Sequence, residues 1–232
     1  MISLFITSFI AIYFLYYYYR IKKAYSLAEV TYTKWAELGK KSNEKFRLLV
    51  LGDSIGTGVG ATCFENSAAG RLACNLAKKY RILLTNASIN GSKVKSLLKA
   101  KIPKEKQSLT AIFISSNDVI RFTKLSEFKG NSIRLLEKIS TSSKKLMIIG
   151  PANVGLAKFL PLPLRIVYLL RGPKYANALK EASAKFKNVI YINSLKPAKS
   201  LGRYKQNYYS SDMFHPNDEG HKFWFEMIKP YL

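Results

Sequence analysis

The chain has 232 residues, 48% of them hydrophobic, which is enough for one domain with a sizeable core and excludes a disordered chain. Its 38 lysines and arginines against 14 aspartates and glutamates give a net charge of +24. That charge favours anionic partners. The basic residues are scattered and no nucleic-acid-binding signature accompanies them, so no nucleic-acid partner is expected.

Residues 2–19, "ISLFITSFIAIYFLYYYY", carry no charge and are apolar or aromatic almost throughout. Their length just suffices for a helix that spans a bilayer. Tyr16–Tyr19 would form an interfacial aromatic belt, and the following "RIKK" would meet lipid headgroups. A cleaved signal peptide fits less well, because no basic segment precedes the run and no small-residue cleavage site follows it. The expectation is therefore a single-pass membrane anchor over 1–23. Basic residues after the span argue for a cytoplasmic C-terminal domain, but long domains translocate regardless of charge, so an extracytoplasmic orientation stays open.

Residues 24–45 read as a stalk and linker. "AYSLAEVTYTKWAEL" can continue the helix, with Gly39 as its cap and "KKSNEK" as the linker. The globular domain is expected over 46–232.

From there short apolar runs alternate with helical stretches. The runs are "RLLVLG" (47–52), "RILLTNAS" (81–88), "TAIFIS" (110–115), "KLMIIG" (145–150) and "NVIYIN" (188–193). Continuous apolar runs of this length suit strands buried on both faces. Helices are expected near 66–80, 92–101, 124–143, 163–187 and 217–229. The alternation implies an α/β three-layer sandwich around a five-stranded, mostly parallel sheet, with sites at the carboxyl ends of the strands.

The first of those ends reads "LLVLGDSIGTGVGA" (48–61). "GTGVGA" fits a dinucleotide fingerprint, but it starts several residues beyond the strand, and "TNAS" ends the second strand without a carboxylate for a ribose. No Gly-Lys-Ser/Thr follows, so a phosphate-binding P-loop is also a poor fit. "GDSIG" (52–56) fits a nucleophile elbow, which needs a base and an orienting acid. The chain has two histidines, His215 and His221. "DMFHPN" (212–217) sets Asp212 three residues before His215, in a loop that Pro216 leads into the last helix. One carboxylate can then reach the imidazole Nδ1 and leave Nε2 for a serine.

Together these stretches resemble the SGNH, or GDSL-type, hydrolase family, whose domain is flavodoxin-like. "GDSIG" stands at its first block, "NASINGSKV" (86–94) at its second, "SSND" (115–118) at its third and "DMFHPN" at its last. The resemblance implies Ser54, Asp212 and His215 as a catalytic triad. It also implies the Ser54 and Gly91 N–H groups and the Asn117 amide as an oxyanion hole. Ser115 stands where that family has glycine, which tightens the turn carrying Asn117. The implied activity is a serine esterase or lipase-like hydrolase that cleaves acyl esters through an acyl-enzyme, with no cofactor and no metal. Its substrate is an ester, lipid-derived or an acylated glycan. An O-acetyl glycan esterase and a non-catalytic tethered domain of the same fold remain the alternatives.

Other features read as structural. Asp53 and Asp118 fix their loops, and His221 packs on the last helix. Asp212, His215, Asp218 and His221 mimic a metal spacing, but Pro216 prevents one helix from presenting all four. Cys63 and Cys74 form neither a C-x-x-C pair nor a metal spacing, and whether they pair is left open. The segment "PANVGLAKFLPLPLRIVYLLRG" (151–172) suits an acyl pocket, a second membrane contact or plain core.

Overall fold

A computed structural model describes residues 2–26, 34–39, 44–157, 160–195 and 208–232. In chain order the elements are α1 (Ile2–Ser26), β1 (Trp35–Leu38), β2 (Lys45–Gly52), α2 (Ser54–Thr57), α3 (Ala68–Ala77), β3 (Arg81–Asn86) and α4 (Val94–Leu97). They continue with β4 (Gln107–Phe113), α5 (Ser116–Ile120), α6 (Leu125–Ser140), β5 (Ser143–Ile149), α7 (Leu162–Ser183), β6 (Val189–Ile192) and α8 (Asp218–Ile228).

The six strands form one sheet in the order β1-β3-β2-β4-β5-β6. The five from β2 to β6 are parallel, and β1 pairs antiparallel with the outer edge of β3. Among the parallel strands the order is that of flavodoxin-like sheets, and it reverses direction at β2 and β4, which is where such sheets place ligands.

Alternation along β2 explains the layers. Leu49 and Leu51 face one side and pack with Phe128, Leu135 and Ile139 of α6 and with Tyr175 and Leu179 of α7. Leu48 and Val50 face the other and pack with Leu72 and Leu76 of α3 and with Trp224 and Ile228 of α8. Successive strand residues point to opposite faces, so a run apolar at every position needs helices on both sides.

Two expectations are corrected here. The sheet has six strands, not five. Trp35–Leu38, read as stalk, is an edge strand whose Glu37 meets Arg81 at 2.7 Å. Gly39, read as a helix cap, instead closes β1 at φ +70°, with a Cβ there 2.4 Å from the Tyr80 carbonyl oxygen. The rest of the stalk, 27–33 and 40–43, lies outside the described residues.

The single-pass anchor is also overturned: among the described residues no helix is long and apolar enough to cross a membrane. The uncharged run does form helix α1. It is diluted, however, by Thr7, Ser8 and five tyrosines, and its last turns bring in Arg20, Lys22 and Lys23. Tyr17 packs against the domain core, whereas Phe5, Phe9, Ile12 and Leu15 of α1 are exposed. The transmembrane anchor expected over 1–23 is therefore not supported, and neither are the membrane partner and the single-pass location expected from it.

Candidate active site

The loop after β2 builds the first part of the site. Asp53 caps α2 by accepting the Ile55 N–H at 3.1 Å, and its own N–H donates to the Phe113 carbonyl at the end of β4 at 2.9 Å. Ser54 is the first residue of α2 and is buried. Burial pushes the Asp53 carboxyl up to about 7; the Ile55 N–H opposes this and the nearby Asp118 adds to it. The glycines that follow serve packing. A Cβ on Gly60, at φ +90°, would lie 2.3 Å from the Pro216 carbonyl oxygen, so glycine there lets the loop close on the His215 segment.

β3 and β4 flank β2 and deliver the second part. Asn86, at the end of β3, donates to the Gly56 carbonyl at 2.8 Å and accepts the Ser88 N–H at 3.1 Å. The turn that follows carries Gly91 at φ +72°, and its Ile89 N–H donates to the Gly52 carbonyl at 3.0 Å. After β4, α5 carries Asn117, whose amide donates to Asp53 Oδ2 at 3.5 Å. Asp118 accepts the Val94 N–H at 2.9 Å and so anchors α4; burial raises its carboxyl while that N–H opposes.

The loop before α8 supplies the third part. Asp212 is fully enclosed. Its Oδ1 accepts from Ser210 Oγ, the Phe214 N–H and the His215 N–H at 2.9–3.0 Å, and its Oδ2 accepts from His215 Nδ1 at 2.6 Å. Burial works against the ionised carboxyl, but the His215 hydrogen bond, its charge and the two backbone N–H groups outweigh it and hold Asp212 below its ordinary value. A carboxylate only accepts, so Nδ1 carries the proton and Nε2 is left as an acceptor. The Phe214 ring stands edge-on to the imidazole, centroids 5.0 Å apart.

Ser54 and His215 line one cleft at this end of the sheet, together with Asn153, Val154, Phe214 and Trp224; it encloses about 610 Å³, part of it open to solvent. Asp212 sits behind His215. Gly91 and Asn117 do not line the cleft, although Asn117 touches it through Asp53 and its neighbour Ser116. His221 stands apart: its Nδ1 accepts the Ala68 N–H, its Nε2 donates to the Val59 carbonyl, and burial lowers it to about 4, so it is a neutral packing residue. Asp218 accepts from Thr62 and Asn66, and its charge reaches His221 without a hydrogen bond to it.

Sequence reading missed the aromatic wall of the cleft, Tyr208, Phe223 and Trp224. The aromatic-rich "YYSSDMF" and "FWF" were its available signal. Of 151–172, Ala152–Val154 and Ala157 line the cleft, whereas Leu162, Ile166 and Leu170 are exposed on α7.

Ser115 shows why that position suits glycine. It is fully buried at φ +98°, and its hydroxyl has no hydrogen-bond partner among the described residues. A left-handed backbone is unfavourable for an L residue with a Cβ. Ser115→Gly is expected to raise stability by about 1 kcal/mol, the relief of strain exceeding glycine's entropy loss. The check is the urea midpoint. A lower midpoint would mean that the hydroxyl makes a stabilising bond.

Residues 50–223 match the GDSL-like Lipase/Acylhydrolase family. No curated protein matches the sequence. Among solved structures the fold resembles TesA, with 22% identity and a TM-score of 0.62 over 79% of this chain and 96% of that one. It also resembles Axe2, an acetylxylan esterase from Geobacillus stearothermophilus, with 18% identity and a TM-score of 0.61 over 82% of this chain and 94% of that one. A third is CEX, a two-domain esterase active on acetylated mannans, at 18% identity and a TM-score of 0.62, covering 92% of this chain and 52% of that one. These likenesses speak for the fold, whereas the family match runs through all four sequence blocks and three quarters of the chain. The chain therefore belongs to the GDSL-like lipase/acylhydrolase family and is a carboxylic ester hydrolase.

Proposed function

We propose that the protein hydrolyses acyl esters by a Ser54–His215–Asp212 triad through an acyl-enzyme. The observation that carries this reading is the 2.6 Å pairing of His215 Nδ1 with Asp212 Oδ2 beside a cleft that His215 shares with Ser54. His215 Nε2 takes the Ser54 proton as Oγ forms a bond to the ester carbonyl carbon. Asp212 holds the ring and stabilises the imidazolium. The tetrahedral intermediate collapses, the C–O bond to the alcohol breaks, and His215 returns the proton to that alcohol. Water, activated by the same histidine, then releases the acid and restores Ser54.

The oxyanion needs donors already aimed at it. The N–H groups of Ser54 and Gly91 and the Asn117 amide fill that role, since the turn carrying Gly91 and the helix carrying Asn117 flank Ser54. Asn117→Ala is expected to lower kcat by on the order of 10²–10³ with little change in KM. A residue that only shapes its turn would instead lower stability by about 1 kcal/mol and leave kcat of the folded fraction intact. Measuring kcat on a p-nitrophenyl ester alongside the melting temperature separates the two.

The acyl group admits a second reading, removal of O-acetyl groups from glycans. It draws on the likeness to Axe2 and CEX and on the stacked Tyr208–Phe223 pair at the cleft, rings 6.0 Å apart, which offers a flat surface to a sugar. A series of p-nitrophenyl esters from acetyl to decanoyl decides between them: a steep fall beyond acetyl favours the glycan reading. The triad itself is tested by labelling with a fluorophosphonate and sequencing the modified peptide. An adduct on Ser54 is expected; an adduct on any other residue would remove the assignment.

A further inference from the structure

We infer that Arg121 forms an anion subsite beside the acyl site and selects esters that carry a phosphate or carboxylate group near the scissile bond. This rests on the triad reading above, which sets the reacting carbonyl between Ser54 and Gly91. Arg121 follows α5 directly, and its N–H donates to the Asn117 carbonyl at 3.0 Å. Its guanidinium reaches across to the turn after β3: a Cβ built on Gly91 would lie 3.1 Å from Nη2. The arginine therefore overhangs the glycine to which the reading above assigns an oxyanion donor.

Arg121 is solvent-exposed, and no hydrogen bond or ion pair engages its guanidinium among the described residues. Four other arginines differ, while exposed Arg134 on α6 is also unpaired among the described residues. Arg71 bonds the Asn66 carbonyl, Arg81 pairs with Glu37, Arg165 bonds the Gly155 carbonyl and Arg171 bonds the Tyr175 phenol. Those four brace the fold, whereas the Arg121 fork is unpaired among the described residues and lies against Gly91.

The nearest acid in sequence, Asp118, is buried and turned inward to the Val94 N–H. Lys93, in the same region, adds a second positive charge. A planar guanidinium matches the two oxygens of a carboxylate or phosphate. The net charge of +24 favours the approach of such substrates.

The test compares kcat/KM for neutral p-nitrophenyl acetate with two charged esters, mono-p-nitrophenyl glutarate and acetylated glycerol 3-phosphate. In Arg121→Gln the charged-to-neutral ratio is expected to fall at least tenfold for the ester whose anion the site prefers. Which ester responds tells carboxylate from phosphate. Arg121→Lys retains part of the ratio, because it keeps the charge without the fork. An unchanged ratio overturns the inference. So does an equal loss on neutral and charged esters, which would make Arg121 a brace for the 89–92 turn. Calorimetric binding of phenyl phosphate and of glutarate to Ser54→Ala protein needs no turnover. There, adding Arg121→Gln is expected to weaken one of them at least tenfold, and equal binding overturns the subsite. If hydrolysis does not depend on Ser54, the triad reading fails while the calorimetric arm still decides the role of Arg121.

Discussion

Ser54→Ala is expected to lower kcat on p-nitrophenyl acetate by on the order of 10⁶, the largest effect of any single change in this chain. Without Oγ no acyl-enzyme forms, and His215 has no proton to take. What remains is a cleft and an oxyanion hole that still favour attack by water, so a trace above the uncatalysed rate is expected. The fold should hardly notice. The cap of α2 is the Asp53 carboxylate, and Ser54 contributes to the local hydrogen bonding through its carbonyl, which accepts from Thr57 Oγ1, the Gly58 N–H and the Val59 N–H. Alanine keeps all of these and suits a helix start, so stability should stay within about 0.5 kcal/mol. A well-folded variant with wild-type kcat would place the nucleophile elsewhere.

That Ser54 stands out in the sequence at all follows from how its surroundings are encoded. β2 is buried on both faces, so its apolar run is continuous and its end is marked by Gly52. Asp212 and His215 are three residues apart, and the contact between them needs only one turn of chain. Short-range geometry of this kind can be read from spacing. The edge strand β1 cannot, because four residues, "WAEL", carry no alternation and become a strand only by pairing with β3. Helix α1 was legible as a helix, but its setting was not: six tyrosines make its polarity ambiguous, and the contact of Tyr17 with the core is tertiary. The wall of the cleft is also tertiary. Tyr208 and Phe223 lie fifteen positions apart, and their rings stack only when α8 packs on the sheet. Ser115 was visible as a departure from glycine, yet its positive φ comes from the way the chain leaves β4.

Asp212→Asn carries the second large effect, a fall in kcat of about 10⁴. The reason lies in the tautomer of His215. Asparagine Oδ1 can keep the three bonds now made by Ser210 Oγ and the Phe214 and His215 N–H groups, which leaves its NH₂ where Oδ2 stands, 2.6 Å from His215 Nδ1 in the present protein. An NH₂ group donates, so Nδ1 must become the acceptor and the proton moves to Nε2. The nitrogen that should receive the Ser54 proton is then already occupied. KM for a neutral ester changes little, because Asp212 sits behind the imidazole and does not line the cleft. Stability responds with a definite sign. The folded-state pKa of Asp212 is depressed, so its contribution is present above the ordinary carboxylate value and is lost as pH falls through the folded value. The stability gap between wild type and Asp212→Asn is therefore expected to be widest near neutral pH and to narrow in acid. Urea unfolding at pH 7 and pH 3, alongside kcat at pH 7, checks both halves. A normal kcat would remove Asp212 as the partner that sets the tautomer, and a gap that widens in acid would contradict the direction of its pKa shift.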